Sequence, residues 1–274
     1  MTTIEKTELH DIMAQYQGNE LFAEVLRQAE TPERLVPLLA NYLGFNVIGA
    51  TGAGPTSVAA EVAMRRDIFQ DPDEILDDFS DRSAEIAKDI FFAAIDELSD
   101  ITHRLLALAT LKGCMRFFGF TPEDARMSSK ITPATRMIME RIKDGYGIGR
   151  TLDDLDLFEA IGFHLGSEWS ADPEFKNLAT ALEHIYPLLV DYLKDTSIEI
   201  SGRRYECYPW IGDHTRVEEE HADKARRAAN TALRYFTGDS LRAKEAILNG
   251  ARNFFSIQTD FALSLCIVEP FLNW

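Results

Sequence analysis

Between residues 214 and 221 the chain reads HTRVEEEH. A helix turns about 100° per residue. His214, Glu218 and His221 are separated by four and then three positions, so they share one stripe of a helix, while Glu219 and Glu220 point elsewhere. Imidazole nitrogens and carboxylate oxygens together are the donors that hold non-haem iron, manganese or zinc. The competing reading is an ordinary solvated face, on which the glutamates and the following Asp223, Lys224, Arg226 and Arg227 are simple surface charges. One helix cannot fill a coordination sphere, so the metal reading requires donors elsewhere in the chain.

Two further segments offer them. His103 lies in AIDELSDITHRLLAL, with Asp96 seven positions before it and Asp100 three before it. Both fall within about 60° of its face, whereas Glu97 falls about 120° away. Apolar Phe92, Ile95 and Leu106 share that side. An acid and a histidine on a largely buried helix are costly unless they are paired or metal-bound; a buried Asp–His hydrogen bond is the competing explanation. In DLFEAIGFHLGSEW, Phe158, Ile161 and Leu165 form an apolar stripe that Glu168 continues. A glutamate in a buried column needs a cation or a donor. Glu159 falls off the stripe and reads as solvent-facing. His164, four residues before Glu168, reads either as a partner of that glutamate or as a surface residue.

Together the three segments supply Asp96 and His103, then Glu168, then His214, Glu218 and His221. Three histidines and three carboxylates suit a dinuclear iron or manganese site. DELSDITH, LGSEW and HTRVEEEH occur in that order, and with LVPLLANYLGFNVIGA they resemble the haem-oxygenase-like diiron oxidases and oxygenases. That helical superfamily has pyrroloquinoline quinone synthase-like and thiaminase-type proteins among its relatives. The likeness spans most of the chain. It departs from the family pattern in two places. The first carboxylate, often Glu in the family, is here Asp96, Glu97 or Asp100, and the segment between Glu168 and His214 is long, as an added lid would make it.

The resemblance implies a haem-oxygenase-like bundle over residues 1–274 that binds two Fe(II) per chain, with Mn also possible. It implies activation of O2 to oxidise a small organic metabolite, amino-acid-like or fatty-acid-like, with Asp96, His103, Glu168, His214, Glu218 and His221 as metal ligands. The alternatives are a metal-free pyrroloquinoline quinone synthase-like oxidase, with histidines as acid–base groups, and a non-catalytic helical binding protein.

The elements that must position these residues read as helices, and the expected fold is all-α: one bundle of seven to ten helices. Thr31-Pro32 reads as an N-cap with proline in the first turn, and the same device recurs at Thr121-Pro122, Thr132-Pro133 and Asp172-Pro173. Pro37 falls inside a helical pattern and predicts a kink. Residues 82–119 predict one long helix or two nearly continuous ones. The stretch from Asp153 to Leu193 predicts two helices separated at Ala171-Asp172-Pro173. GATGAGPTS reads as a helix break, since no lysine follows its last glycine as a phosphate loop needs. Residues 196–213 are the least helical and predict a short hairpin or lid, where Arg203 and Arg204 could hold a carboxylate or simply face solvent. The final 35 residues turn from amphipathic to strongly apolar.

Bulk properties narrow the function classes. The 274 residues carry a net charge of -17, which argues against nucleic acid and anionic membrane surfaces. Three cysteines, with no CxxC pair, support neither a zinc ribbon nor a disulfide framework. No leader-like or membrane-spanning run is evident. The expectation is a cytoplasmic protein acting on O2 and a small molecule, with a homodimer possible.

Overall fold

The computed structural model describes residues 2–49, 53–98 and 102–266. Twelve α-helices and one two-stranded hairpin make up its regular structure, beside a single 3-10 turn at Asp77–Phe79. In chain order these are α1 (Lys6–Met13), α2 (Gly18–Gln28), α3 (Pro32–Gly49), α4 (Ala53–Met64), α5 (Ser83–Leu98), α6 (Thr102–Phe117), α7 (Pro122–Ser128) and α8 (Pro133–Gly145). Then follow α9 (Asp154–Ile185), α10 (Pro187–Asp195), β1 (Ser197–Ile200), β2 (Arg203–Glu206), α11 (Pro209–Tyr235) and α12 (Ser240–Cys266). The chain is all-α, as expected. The helix number exceeds seven to ten because short helices such as α1, α7 and α10 bury too few residues to give a long apolar period.

The proline signals divide cleanly. Thr121 and Thr132 each accept a hydrogen bond from the backbone N–H three residues on, with proline in the first turn. Asp172-Pro173 behaves otherwise: α9 runs unbroken through it for 32 residues. Proline removes one backbone donor and crowds the preceding turn. Here that cost is outweighed by burial, because Phe175, Leu178 and Leu182 beyond the proline join the same core as Leu157, Phe158 and Ile161 before it. The break comes instead at Tyr186-Pro187, where Tyr186 leaves helical geometry and its hydroxyl donates to the Ala29 carbonyl. Pro37 likewise lies inside α3. The 82–119 stretch forms two helices, α5 and α6, with residues 99–101 outside the described set. The break read at GATGAGPTS falls between α3 and α4, and residues 50–52 are also outside it.

Around α9 the bundle is tightest. From Ala160 to Ser170 every residue of this helix is buried, so it is central rather than amphipathic. On one side α12 packs against it through glycines. A Cβ built on Gly162 would overlap the Ile247 carbonyl, and one on Gly250 would overlap the Glu159 carbonyl. On another side α11 presents Ala225, Ala228, Ala229 and Ala232, all buried. Small residues on both flanks bring the backbones close, which fixes where α9 points its side chains.

α5 is tied to α11 by an ion pair in which the Arg227 guanidinium donates two hydrogen bonds to the Asp89 carboxylate. Asp89 is 4% exposed, whereas the arginine side chain is half exposed. Arg227→Ala leaves a buried carboxylate without its counter-ion. A loss of about 1–3 kcal/mol is expected, discounted for the exposure of the arginine. Thermal melting of the variant checks this, and an unchanged midpoint would show that the pair contributes nothing.

The 196–213 segment contains the expected hairpin. Ser197 pairs with Glu206 and Ile200 with Arg203, so the loop is two residues long. Ser201 and Gly202 have φ of 53° and 79°, the left-handed values that a two-residue turn of matching twist demands. The hairpin packs on α6, and the Thr110 hydroxyl donates to the Cys207 carbonyl behind it. Arg203 and Arg204 are exposed. No helix among the described residues is long and apolar enough to cross a membrane.

Candidate metal centre

α9 and α11 bring the predicted donors together in the interior. Glu168, Glu218 and His221 each offer a ligand atom, and these atoms lie within 4.8 Å of one another. His221 Nδ1 is 3.6 Å from Glu168 Oε2 and 3.6 Å from Glu218 Oε2, so the imidazole sits between two carboxylates from different helices. One turn earlier on α11, His214 Nε2 is 3.6 Å from Glu218 Oε1. All four side chains are buried, while Glu219 and Glu220 are exposed, as the helical stripe requires.

The second half of the predicted set is less complete. Asp96 lies on α5, and His103 lies in the first turn of α6. The side chains of Asp96, Glu97 and His103, and the whole of Asp100, lie outside the described residues. α5 does reach the centre: the ring of Phe92, one turn before Asp96, meets the His221 ring edge-on at 5.8 Å.

Neighbouring groups hold the donors in place. His214 Nδ1 faces the Trp210 carbonyl, and a ring so tethered presents Nε2 toward Glu218. Phe175 stacks on the same imidazole at 4.1 Å with the planes 25° apart. With Trp210 and Phe92, it walls the site with aromatic surface.

Four residues beside the donors carry little sequence signal of their own. Glu174, on α9 beyond Pro173, is 4% exposed. The Tyr42 hydroxyl on α3 donates to its Oε2 at 3.0 Å, and the Gln258 amide on α12 donates to its Oε1. His164, read as either a partner of Glu168 or a surface group, is 1% exposed with Nδ1 3.5 Å from Glu168 Oε1.

Charge makes the arrangement informative. Among the described residues no lysine or arginine is buried, yet Glu168, Glu174 and Glu218 all are. Burial raises the Glu168 carboxyl to about 8, with the Glu218 charge adding to the effect and His221 opposing it. Glu174 rises to about 7, again mainly through burial, although the hydrogen bonds from Gln258 and Tyr42 favour its charged form. Burial also lowers His164 to about 3, helped by His221, and keeps it neutral. Tyr42 is pushed well above the ordinary phenol range by burial and then by the Glu174 charge.

These shifts have a consequence for stability. A carboxyl whose folded value is raised binds its proton more tightly in the folded chain. The stability it confers is complete below the unfolded value near 4.5 and is lost as pH rises through about 7 to 8. Metal-free protein should therefore melt at a higher temperature at pH 6 than at pH 8.5. The difference expected is on the order of a few kcal/mol, and Glu174→Gln should flatten the trend. Melting curves across that range test it; a flat profile in the parent protein contradicts it.

Whether a metal ion suits these residues is a question of donor chemistry. Metal–nitrogen and metal–oxygen bonds run to about 2.0–2.2 Å. Ligand atoms on one ion therefore stand no more than about 4.4 Å apart, close to the spacing here. The set is hard oxygen with imidazole nitrogen and no thiolate, and the three cysteines are free. That composition suits iron, manganese or zinc. A divalent ion would also supply the positive charge the buried carboxylates lack. No family model matches the chain, and no curated protein matches it.

Proposed function

We propose that this protein is a non-haem diiron oxidase or oxygenase that activates O2 to oxidise a small organic metabolite, amino-acid-like or fatty-acid-like. One observation carries the reading. Two glutamates from different helices and a histidine converge in an interior that holds no buried lysine or arginine among the described residues. Burial leaves such carboxyls protonated in the metal-free chain, and a bound cation would let them ionise and act as donors.

Glu168, Glu218, His214 and His221 would hold the iron, with Asp96 and His103 contributing from α5 and α6. Ferrous iron, when bound, supplies the electrons that reduce O2 and the oxidising power directed at the substrate. The chain's own residues do the rest. The Trp210 carbonyl and the Phe175 ring set the orientation of His214. The aromatic wall keeps bulk water from the centre and sharpens every charge interaction within it. Tyr42 and Gln258 anchor Glu174 beyond the donors and can hold a proton there.

Anaerobic reconstitution with Fe(II), followed by exposure to O2, tests this directly. About two irons per chain and an O2-dependent optical change are expected. No iron uptake would end the proposal and leave a metal-free oxidase or a binding protein. His214→Ala should lose iron with little change in fold. Unchanged iron stoichiometry in that variant would remove His214 from the ligand set.

A further inference from the structure

His164 is unusual for a buried histidine. Its side chain is 1% exposed, and neither ring nitrogen has a hydrogen-bond partner among the described residues. Nδ1 is 3.5 Å from Glu168 Oε1 but not in hydrogen-bond geometry with it. The nearest ring contact is Tyr146, with centroids 6.3 Å apart. A buried polar atom left without a partner costs about 1–3 kcal/mol. An apolar side chain of similar size would fill the same space without that loss.

The spacing supplies a second observation. His164 and Glu168 are four apart on α9, and His214 and Glu218 are four apart on α11. Each histidine places a ring nitrogen beside the nearer oxygen of its own glutamate, at 3.5 Å on α9 and 3.6 Å on α11. The other oxygen of each glutamate lies 3.6 Å from His221 Nδ1. Two His-x3-Glu arms thus face each other across a shared histidine. His214 has an evident use in the proposed centre; His164 has the same relation to its glutamate and none.

We infer that His164 is itself a metal donor, pairing with Glu168 at the α9 end of the centre as His214 pairs with Glu218 at the α11 end. The inference rests on the metal-binding reading above and adds a ligand to it. His164 supplies a neutral nitrogen lone pair, so its binding requires no proton to leave.

The test uses the full chain, metal-free, with its six histidines labelled with nitrogen-15. Zn(II), a diamagnetic divalent ion, is added, and the ring nitrogens are followed by long-range proton–nitrogen correlation spectra. His164→Gln assigns the His164 signals by their absence. If that variant does not fold, His10→Gln and His184→Gln, both at exposed positions, narrow the assignment instead. Zn(II) is expected to shift one His164 nitrogen to a metal-bound position together with those of His214 and His221. His164→Gln is expected to weaken Zn(II) binding about 10- to 100-fold. Movement of His214 and His221 with His164 unchanged would overturn this inference and leave the metal reading intact. No Zn(II) binding, and no shift at any histidine, would overturn both.

Discussion

His221→Ala is expected to lower iron affinity by at least about 100-fold, the largest effect of any single substitution at the centre. His221 Nδ1 lies 3.6 Å from a carboxylate oxygen of each helix, Glu168 Oε2 on α9 and Glu218 Oε2 on α11. Removing it takes away a ligand and also leaves Glu168 and Glu218 facing each other. Two carboxyls at such range cannot both ionise cheaply, so the pair would retain a proton that competes with the metal. His221→Ala should therefore bind iron more weakly as pH falls, and more steeply so than the parent protein. Iron titrations at two pH values read both effects. Wild-type affinity in His221→Ala would remove the convergence of α9 and α11 as a reason to propose a metal site.

The second large effect lies away from the donors, at the contact of α9 with α12. Gly162→Ala and Gly250→Ala would each drive a methyl into a backbone carbonyl of the opposite helix, Ile247 and Glu159 respectively. Alanine is ordinarily the better helix residue by about 1 kcal/mol. Here a backbone atom cannot turn aside as a flexible side chain can, so the helices must separate. Overpacking of cores costs about 1–3 kcal/mol, and a clash with main chain belongs at or above the top of that range. Gly166→Ala provides the graded comparison. Its Cβ would stand 3.0 Å from the Ala251 Cα, which needs a smaller adjustment. Urea unfolding of the three variants should rank Gly166→Ala well above the other two in stability. Equal stability of Gly162→Ala and the parent protein would show that the seam is looser than described.

Much of this architecture could be read from periodicity, because local rules governed it. Thr121-Pro122 and Thr132-Pro133 open helices as their capping chemistry predicts. The HTRVEEEH stripe buries His214, Glu218 and His221 and exposes Glu219 and Glu220. What escaped was decided by tertiary packing. Asp172-Pro173 carries the same signal as the other proline caps, yet burial on both sides keeps α9 continuous. Glu174 follows that proline and so looks like an acid in a helix's first turn, where the helix dipole would favour it. Its real partners, Tyr42 and Gln258, are 132 and 84 residues distant. No spacing rule reaches across such separations. His164 was ambiguous for a related reason: a helix buried on every side has no amphipathic stripe to say which residues face inward.

The glycine contact between α9 and α12 also settles how the centre can change over evolution or under redesign. Glu168 and His164 stand on a helix wedged between a glycine seam and an alanine face, so a bulkier neighbour there strains main chain before it reshapes anything. α5 meets α11 through longer side chains such as Phe92 and the Asp89–Arg227 pair, which can turn aside where main chain cannot. On the proposed function, new specificity is therefore better sought on α5 around Phe92, with Asp96 and the whole of α9 left unchanged.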